Sequence, residues 1–130
     1  MTDRPGSLED RTLALRFVTM PKDTNHYGTI FGGVILSAID QAGFVHAQTH
    51  ARCRWVTAAV DRVDFRAPVQ VGDTVECYAT TARLGTTSVT LAVDVEVERC
   101  HDGCRETVTR AELTMVAVDE QGMPRPFRSE

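Results

Sequence analysis

Asp40 is the residue whose surroundings most strongly suggest chemistry. Between Gly32 and Ala51 it is the single residue with a formal charge, and apolar residues recur there at helical spacing. A helix that is apolar on nearly every side is normally buried, and a lone buried carboxylate needs a hydrogen-bonding partner or a function. Burial would also make it a better proton acceptor near neutral pH, so we predict a base or a nucleophile. The alternative is a structural carboxylate that caps a loop.

Gly32 and Gly33, at the start of the same stretch, suggest a second chemical element. The first amides of a helix have no acceptor within the helix, and the helix dipole adds positive potential there. Glycine also lets a substrate approach the backbone closely. These two amides are therefore suited to hold a developing oxyanion, although both glycines could equally serve packing alone.

The histidines of the helix give weaker signals. His46 lies on the main apolar side of the helix and is interpreted as a core residue, and His50 as a helix-end residue. Neither has the nucleophilic partner that a Ser-His or Cys-His mechanism requires.

Cys100, His101 and Cys104 form the one run that resembles a metal-binding motif. The run lacks the distant second pair of ligands that zinc sites usually need. Asp102-Gly103 is a turn signal between two strand-like segments, so a hairpin is favoured over a metal site or a disulfide. We accordingly predict no metal site.

The elements that must position these residues follow from the periodicity of the chain. A short alternating strand is predicted at 13–17, followed by a glycine-containing loop and the long helix. After the helix the apolar period changes from 3.6 to 2 residues, and four strands linked by short turns follow, of which 89–97 is the clearest. A change of phase predicts a β-bulge near Asp61-Arg62.

These elements predict an α+β fold. Short turns favour antiparallel neighbours, and one long apolar helix is available to cover a face of the sheet. We therefore expect a curved antiparallel β-sheet wrapped around one central helix. The helix has apolar residues left on its second side, so a second subunit is expected to complete its burial; these residues are Leu36, Gly43, Phe44 and Ala47.

Length and composition narrow the class of protein. With 130 residues the chain is predicted to form one domain at 12–127, preceded by a flexible lead at 1–11 and followed by a short tail at 128–130. The formal net charge of −4 and the lack of a basic run argue against nucleic acid as a partner. Neither a membrane span nor a signal peptide is predicted, so we expect a cytoplasmic protein whose four cysteines are reduced thiols.

An ordered set of motifs resembles the hotdog-fold acyl-CoA thioesterases. The central motif is Asn25-x-x-Gly28-x-x-Phe31-Gly32-Gly33, with Asp40 seven residues further on. It is flanked by Met20-Pro21-x-Asp23-Thr24, by Val56-Thr57 after the helix, by Phe65-x-x-Pro68 and by Gly85-Thr86-Thr87-Ser88. The resemblance covers roughly Leu13 to Phe127 and is strongest to the short bacterial acyl-CoA hydrolases that are related to cytosolic mammalian ones.

The resemblance implies hydrolysis of acyl-CoA without a metal or other cofactor. Asp40 would be the general base or the nucleophile, and Asn25, from another subunit, would position water or substrate. A Gly32 or Gly33 N–H would polarise the thioester carbonyl. The protein would be a homodimer or a higher oligomer, such as a trimer or dimer of dimers. Contacts to the substrate and its CoA arm are implied for His26, Phe31, Gly85, Thr86, Thr87 and Ser88. From the residues alone, Asn25 could instead form an Asx-turn, and 85–88 a plain hairpin turn.

Three other interpretations were compared with this one. A phenylacetyl-CoA thioesterase also places an aspartate after a Gly-Gly helix start, but the Asn25 loop and the 85–88 turn favour the first type. A hotdog dehydratase would pair a histidine with a carboxylate in a pattern that this chain lacks. A non-catalytic acyl-CoA-binding sensor is disfavoured because both Asn25 and Asp40 are present.

Overall fold

The structure is a computed structural model that describes residues 10–128, so most of the lead predicted at 1–11 and the last two residues of the tail lie outside the described residues. One helix and five strands make up the fold, in the order β1 (Thr12–Val18), α1 (Gly32–Gln48), β2 (Arg54–Phe65), β3 (Thr74–Leu84), β4 (Ser88–Glu98) and β5 (Arg105–Val118). The predicted α+β hotdog architecture is confirmed. In the described part of the chain, no helix is long and apolar enough to cross a membrane.

Helix α1 begins at the glycine pair, as predicted. Phe31 is the residue before its first turn, and Gly32 and Gly33 are its first two residues. The helix ends at Gln48, three residues before the predicted end, because the amide and the hydroxyl of Thr49 both bond to the carbonyl of His46, at 3.0 and 2.6 Å. At the other end of the helix, its first amides come directly after the loop that carries Asn25.

The five strands form one antiparallel sheet in the order β1-β3-β4-β5-β2. The expectation that short turns place all four later strands side by side is wrong for β2 and β3, which lie in different parts of the sheet. The segment 66–73 crosses beneath the start of the helix instead: Ile30 N–H donates to Val69 O at 2.9 Å. Alternation along a strand specifies which face each side chain occupies, not which strand lies beside it.

Asp73 anchors the end of this crossing segment. Its buried carboxylate accepts the amides of Gln70 at 2.9 Å and Cys100 at 3.0 Å, and an Arg99 guanidinium hydrogen bond at 2.7 Å. Burial raises the pKa of Asp73, but these donors and the Arg99 charge outweigh it and hold the pKa below its usual value. The carboxylate thus ties the crossing to the β4–β5 hairpin.

The bulge predicted near Asp61-Arg62 is confirmed. The β2–β5 register shifts between Val60 and Arg62, and a second shift lies between Thr57 and Ala59. Bulges bend a strand and increase its twist. Strand β2 can therefore curve along the helix while it stays paired with β5.

The core lies between α1 and one face of the sheet. Ile35, Ala38, Ile39 and Ala42 are buried there, together with the alternating apolar residues of β4 that the sequence predicts: Val89, Leu91, Val93, Val95 and Val97. A Cβ on Gly43 would come within 2.8 Å of Leu113 Cδ1, so glycine sets how closely the helix approaches β5.

The prediction that the helix is buried on every side is not met within one chain. Leu36, Phe44 and Val45 are 39, 41 and 38% exposed, and Asp40 is exposed among them. Gly43 and Ala47, assigned from the sequence to the second side, face the sheet and are buried. A single sheet wraps only part of the helix circumference, so one apolar face stays open. We call the exposed residues Leu36, Asp40, Phe44 and Val45 the open face of α1.

Candidate active site

The Asp40 carboxylate is held by a strand residue. Thr57 Oγ1 donates a short hydrogen bond to Asp40 Oδ1 and lies 3.3 Å from Met115 Sδ. Asp40 is on α1 and Thr57 is on β2, so the contact joins two elements whose packing the sequence did not predict. The bond fixes one carboxylate oxygen and leaves Oδ2 available for other contacts.

Sequence reasoning assigned no role to Thr57. The available signal was its place in the Val56-Thr57 pair that matched the family after the helix. A threonine in a strand is otherwise unremarkable, because β-branched residues favour strands. Its function becomes visible only when α1 and β2 are seen side by side.

Asp40 and Thr57 lie in an open groove with largely apolar walls. The groove has a volume of about 540 Å³ and is lined by Asp40, Gln41, Phe44, Val45, Trp55, Val56, Thr57 and Met115. Burial of Asp40 was predicted from its apolar neighbours, yet in the single chain it is exposed. The carboxylate is therefore reachable from solvent, with apolar surface on either side of it.

The glycine amides at the start of α1 are also accessible. Within residues 10–128, the amides of Gly32 and Gly33 donate to no acceptor, and both residues are exposed. A Cβ on Gly33 would meet no atom within 4 Å, and one on Gly32 would touch only the Phe65 ring, at 3.6 Å. Two free N–H groups at a helix N-terminus can bind an oxyanion, as the sequence predicts.

Asn25 forms an Asx-turn in its own loop. Its Oδ1 accepts the amides of Tyr27 at 2.8 Å and Thr29 at 3.2 Å, and its Nδ2 donates to Thr29 Oγ1 at 2.9 Å. None of these bonds involves Asp40, and Asn25 is not among the residues that line the Asp40 groove. The structural alternative for Asn25 is thus present, and its predicted catalytic role stays a prediction.

His26 and Phe31, predicted substrate contacts, are exposed on the same loop. The rings of His26 and Tyr27 lie 3.9 Å apart between centroids, and Phe31 precedes the first turn of α1. Their side chains are free to meet a ligand or a neighbouring chain.

The predicted CoA-binding turn at 85–88 connects β3 and β4. Gly85 N–H donates to Ser88 O at 2.7 Å, the closure of a tight turn. The carbonyl groups of Thr86 and Thr87 accept the amides of Phe127 and Ala117, at 3.2 and 2.8 Å, so the turn also holds the end of the chain. None of its residues lines the Asp40 groove, and the CoA contact stays a prediction.

The run around Cys100 and Cys104 forms the β4–β5 hairpin, as predicted. Arg99 N–H donates to Cys104 O at 2.8 Å, Gly103 adopts a φ of 74°, and both cysteines are free thiols. Within the described residues, three potential metal ligands come together elsewhere, at Asp10, His46 and His50.

A family model and the curated relatives of this chain point to the same family. The thioesterase superfamily matches residues 27–104. The acyl-CoA thioester hydrolase YciA of Escherichia coli K12 is 43% identical over 121 residues, which are 91% of this chain and 92% of that protein.

Solved structures agree with this match. HI0827, described as a hexameric broad specificity acyl-coenzyme A thioesterase, is 41% identical with a TM-score of 0.85 over 91% of this chain and 82% of that one. An acyl-CoA hydrolase from Staphylococcus aureus, solved with butyryl coenzyme A and coenzyme A, is 31% identical with a TM-score of 0.80 over 91% and 71%.

Variants of both proteins have been solved. In HI0827 an aspartate is replaced by alanine, and in the Staphylococcus aureus hydrolase an asparagine or a threonine is replaced by alanine.

Proposed function

Because this chain belongs to the thioesterase superfamily, and within it to the acyl-CoA thioester hydrolases, we propose that it hydrolyses acyl-CoA to a carboxylic acid and CoA with Asp40 as the catalytic carboxylate. The observation that carries the proposal is the Asp40 carboxylate, oriented by Thr57 beside an apolar groove. The replaced residue types in the solved relatives, aspartate, asparagine and threonine, are those of Asp40, Asn25 and Thr57, which adds support.

The free oxygen of Asp40 carries the chemistry. As a general base, Oδ2 takes a proton from water while the water oxygen bonds to the thioester carbon. The tetrahedral oxyanion then collapses, the carbon–sulfur bond breaks, and the CoA thiolate leaves and is protonated. As a nucleophile, the same oxygen bonds to the carbonyl carbon and expels the thiolate, and water hydrolyses the resulting anhydride. Thr57 supports either route because it orients the carboxylate without blocking Oδ2.

Polarisation of the carbonyl requires a second protomer. Gly32 and Asp40 are eight residues apart on one helix, which separates them by about 12 Å along its axis at 1.5 Å per residue. A single thioester carbonyl cannot contact both. Two helices packed antiparallel about a twofold axis near Leu36 bring the glycine amides and the Asn25 loop of one protomer to the Asp40 of its partner.

The open face of α1 suits such an interface. Leu36 lies midway between Gly32 and Asp40, and it is exposed in one chain. Burial of this apolar face against a second copy would lower the free energy of the assembly. We propose a homo-oligomer built from such dimers, a hexamer by analogy with HI0827.

The groove is proposed to bind the acyl chain of the substrate, and the neighbouring loops its CoA arm. Phe44, Val45 and Trp55 give the groove apolar walls that fit an acyl chain by shape and hydrophobicity rather than by hydrogen bonds, which suits a range of chain lengths. The CoA arm is assigned to His26, Phe31 and the turn 85–88. A cytoplasmic location, where acyl-CoA is formed and the free thiols stay reduced, is part of the proposal.

The test is release of free CoA from a panel that runs from acetyl-CoA to palmitoyl-CoA and includes phenylacetyl-CoA. Asp40→Asn is expected to lower kcat at least a thousandfold on every substrate that the unchanged protein cleaves, because the amide can neither accept the proton nor attack. Asp61→Asn, an exposed aspartate on β2, is the matched control and is expected to keep full activity.

Two results would refute the mechanism. One is a lack of turnover on every acyl-CoA by the unchanged protein. The other is an Asp40→Asn variant that keeps more than a tenth of the activity. A preference for phenylacetyl-CoA over all straight chains would favour the phenylacetyl-CoA type instead.

A further inference from the structure

We propose that Asp10, His46 and His50 form a binding site for a divalent transition metal, for which Zn²⁺ is the best fit. We call these residues the Asp10–His46–His50 cluster. The cluster lies where the second half of α1 meets β3 and the segment before β1, and no residue of the Asp40 groove belongs to it. It shares no atoms with the proposed hydrolysis, so the two proposals stand or fall separately.

The ligand atoms already point to a common position. His46 Nε2 and His50 Nε2 each lie 2.8 Å from Thr81 Oγ1, and His46 Nε2 lies 3.4 Å from Asp10 Oδ2. Ligands bound to zinc at 2.0–2.2 Å in a tetrahedron are roughly 3.4 Å apart. All three ligand atoms lie within 4.8 Å of one another. A small rotation of the half-buried His50 side chain would bring them all within bonding distance of one ion.

The spacing of the two histidines supports the same conclusion. His46 lies in the last turn of α1, and His50 lies in the turn that follows the helix. Their ring centroids are 5.6 Å apart, and a separation of four residues is common for two histidine ligands of one zinc ion. An acidic residue from another segment, here Asp10, completes a set of three ligands with room for a fourth.

Both ring nitrogens of His46 have hydroxyl partners. Nδ1 lies 3.1 Å from Thr12 Oγ1, outside the cluster, and Nε2 lies 2.8 Å from Thr81 Oγ1. In the tautomer with the hydrogen on Nδ1, this nitrogen donates to Thr12, and a metal ion would replace the Thr81 hydroxyl as the partner of the Nε2 lone pair. A hydrogen bond of this kind on the far nitrogen is the usual support of a metal-bound histidine.

The acidic ligand is held by the backbone of β3. The Thr81 amide donates to both Asp10 carboxylate oxygens, at 3.3 and 3.2 Å. The Thr81 hydroxyl lies 2.8 Å from Nε2 of both imidazoles, so it is the group that a bound ion would displace or take as its fourth ligand.

A cation would also suit the charge of the cluster. Asp10 Oδ2 lies 3.4 Å from His46 Nε2, so a divalent ion bound here would contact a carboxylate as well as two imidazole nitrogens.

The test is titration of untagged protein with ZnCl₂ after removal of metal by a chelator. A Cys100→Ser, Cys104→Ser background removes the exposed thiols as competing ligands. We expect one Zn²⁺ per protomer, and at least a tenfold loss of affinity in both His50→Gln and Asp10→Asn. His101→Gln, an exposed histidine outside the cluster, is the matched control and is expected to bind as the background does.

Titration with Co²⁺ gives a second readout that needs no variant of the cluster. A four-coordinate nitrogen and oxygen site gives visible d–d absorption of Co²⁺, without the sulfur charge-transfer bands of a thiolate site. Absence of a Zn²⁺ stoichiometry and of this spectrum in the Cys100→Ser, Cys104→Ser background would overturn the proposal. Equal Zn²⁺ affinity in His50→Gln, Asp10→Asn and the control would overturn it as well and leave a hydrogen-bonded cluster only.

Discussion

Thr57 sets the orientation of the Asp40 carboxylate. A carboxylate on an exposed helix face has rotational freedom, and the hydroxyl bond from β2 restricts it to one arrangement. In the proposed reaction this restriction keeps Oδ2 turned toward water or the thioester carbon. Positioning of this kind affects the chemical step more than the binding of substrate.

Replacement of Thr57 tests this role. Thr57→Val keeps the shape but loses the donor, and a hydrogen bond to a charged group is worth about 1.5–3 kcal/mol, so kcat is expected to fall about 10- to 100-fold with little change in KM. Thr57→Ser keeps the hydroxyl and is expected to retain most of the activity. Steady-state kinetics of both variants measure the contribution of the Thr57 hydroxyl. Equal kcat values for Thr57→Val and Thr57→Ser would exclude an orienting role.

The residues that sequence reasoning identified are those that break a local pattern. Asp40 interrupts an uncharged helix, and the pair Gly32-Gly33 marks its first turn, so both are visible from spacing. Thr57 breaks no pattern, because threonine is common in strands. Its partner lies on another element, and only the packing of β2 beside α1 shows the contact.

Gly43 governs the contact between the helix and the sheet. Leu113 and Met115 of β5 occupy the space next to it, and both are buried. Because interiors are close-packed, one added methyl group at this position must displace a neighbour.

A cycle of variants measures this close approach. Gly43→Ala is expected to lower the free energy of unfolding by about 1–3 kcal/mol through overpacking, despite the better helix propensity of alanine. Leu113→Val makes the neighbouring side chain one carbon smaller, so the double variant is expected to be more stable than the sum of the two changes predicts. Chemical denaturation of the four proteins gives the coupling energy, and simple additivity would contradict the contact.

The sequence predicted the strands and the helix better than it predicted the contacts between them. The period of two residues identified the strands, and its change of phase identified the bulge in β2. It could not predict that 66–73 leads away from β2 to a strand elsewhere in the sheet. That route depends on tertiary bonds, such as those of Asp73 to Arg99 and Cys100, which leave no periodic signal.

The open face of α1 bears on how whole protomers assemble. The sequence predicted an apolar second side, and residues 10–128 leave about 40% of the surface of Leu36, Phe44 and Val45 exposed. If the proposed dimer buries this face, assembly and catalysis depend on the same residues.

Leu36→Glu tests this dependence. A charge in the middle of the proposed helix pair must be desolvated next to its symmetry mate, so the assembly is expected to dissociate. Light scattering should report about six times 14.3 kDa for the unchanged protein and a smaller species for the variant, with loss of activity. Arg83→Glu, an exposed change at the end of β3, serves as the control. A hexamer of full activity in Leu36→Glu would contradict the proposed interface.

Protonation of His46 makes the stability of the folded chain depend on pH. The groups that face it are Asp10 before β1, Thr12 on β1, Thr81 on β3 and His50 in the turn after α1. Burial lowers the pKa of His46 below 6.5, so below about pH 6.5 the unfolded chain binds more protons than the folded one.

The free energy of unfolding is therefore expected to be constant above this pH and to fall below it, by at most about 1.4 kcal/mol per pH unit for this histidine. The pKa of Asp73 is held below its usual value of 3.8, so that carboxylate contributes nothing in this window. Denaturation at pH 7.5 and pH 5.5, with chelator and at fixed protein concentration, measures the effect. His46→Gln should show a smaller difference between the two pH values than His101→Gln, and equal differences would contradict the assignment.

The place of β2 in the sheet affects how the chain folds. Strands β3, β4 and β5 follow one another through short turns and pair with their sequence neighbours, whereas β2 must pair residues such as Val60 and Leu113 across a long stretch of chain. Closing a long loop costs entropy before the pairing repays it, so contacts of high contact order form late. We therefore expect the Thr57 hydroxyl to meet the Asp40 carboxylate late in folding, after the helix and the β3–β5 meander have formed. Under the proposed mechanism such a partly folded chain would be inactive, because nothing yet orients the carboxylate.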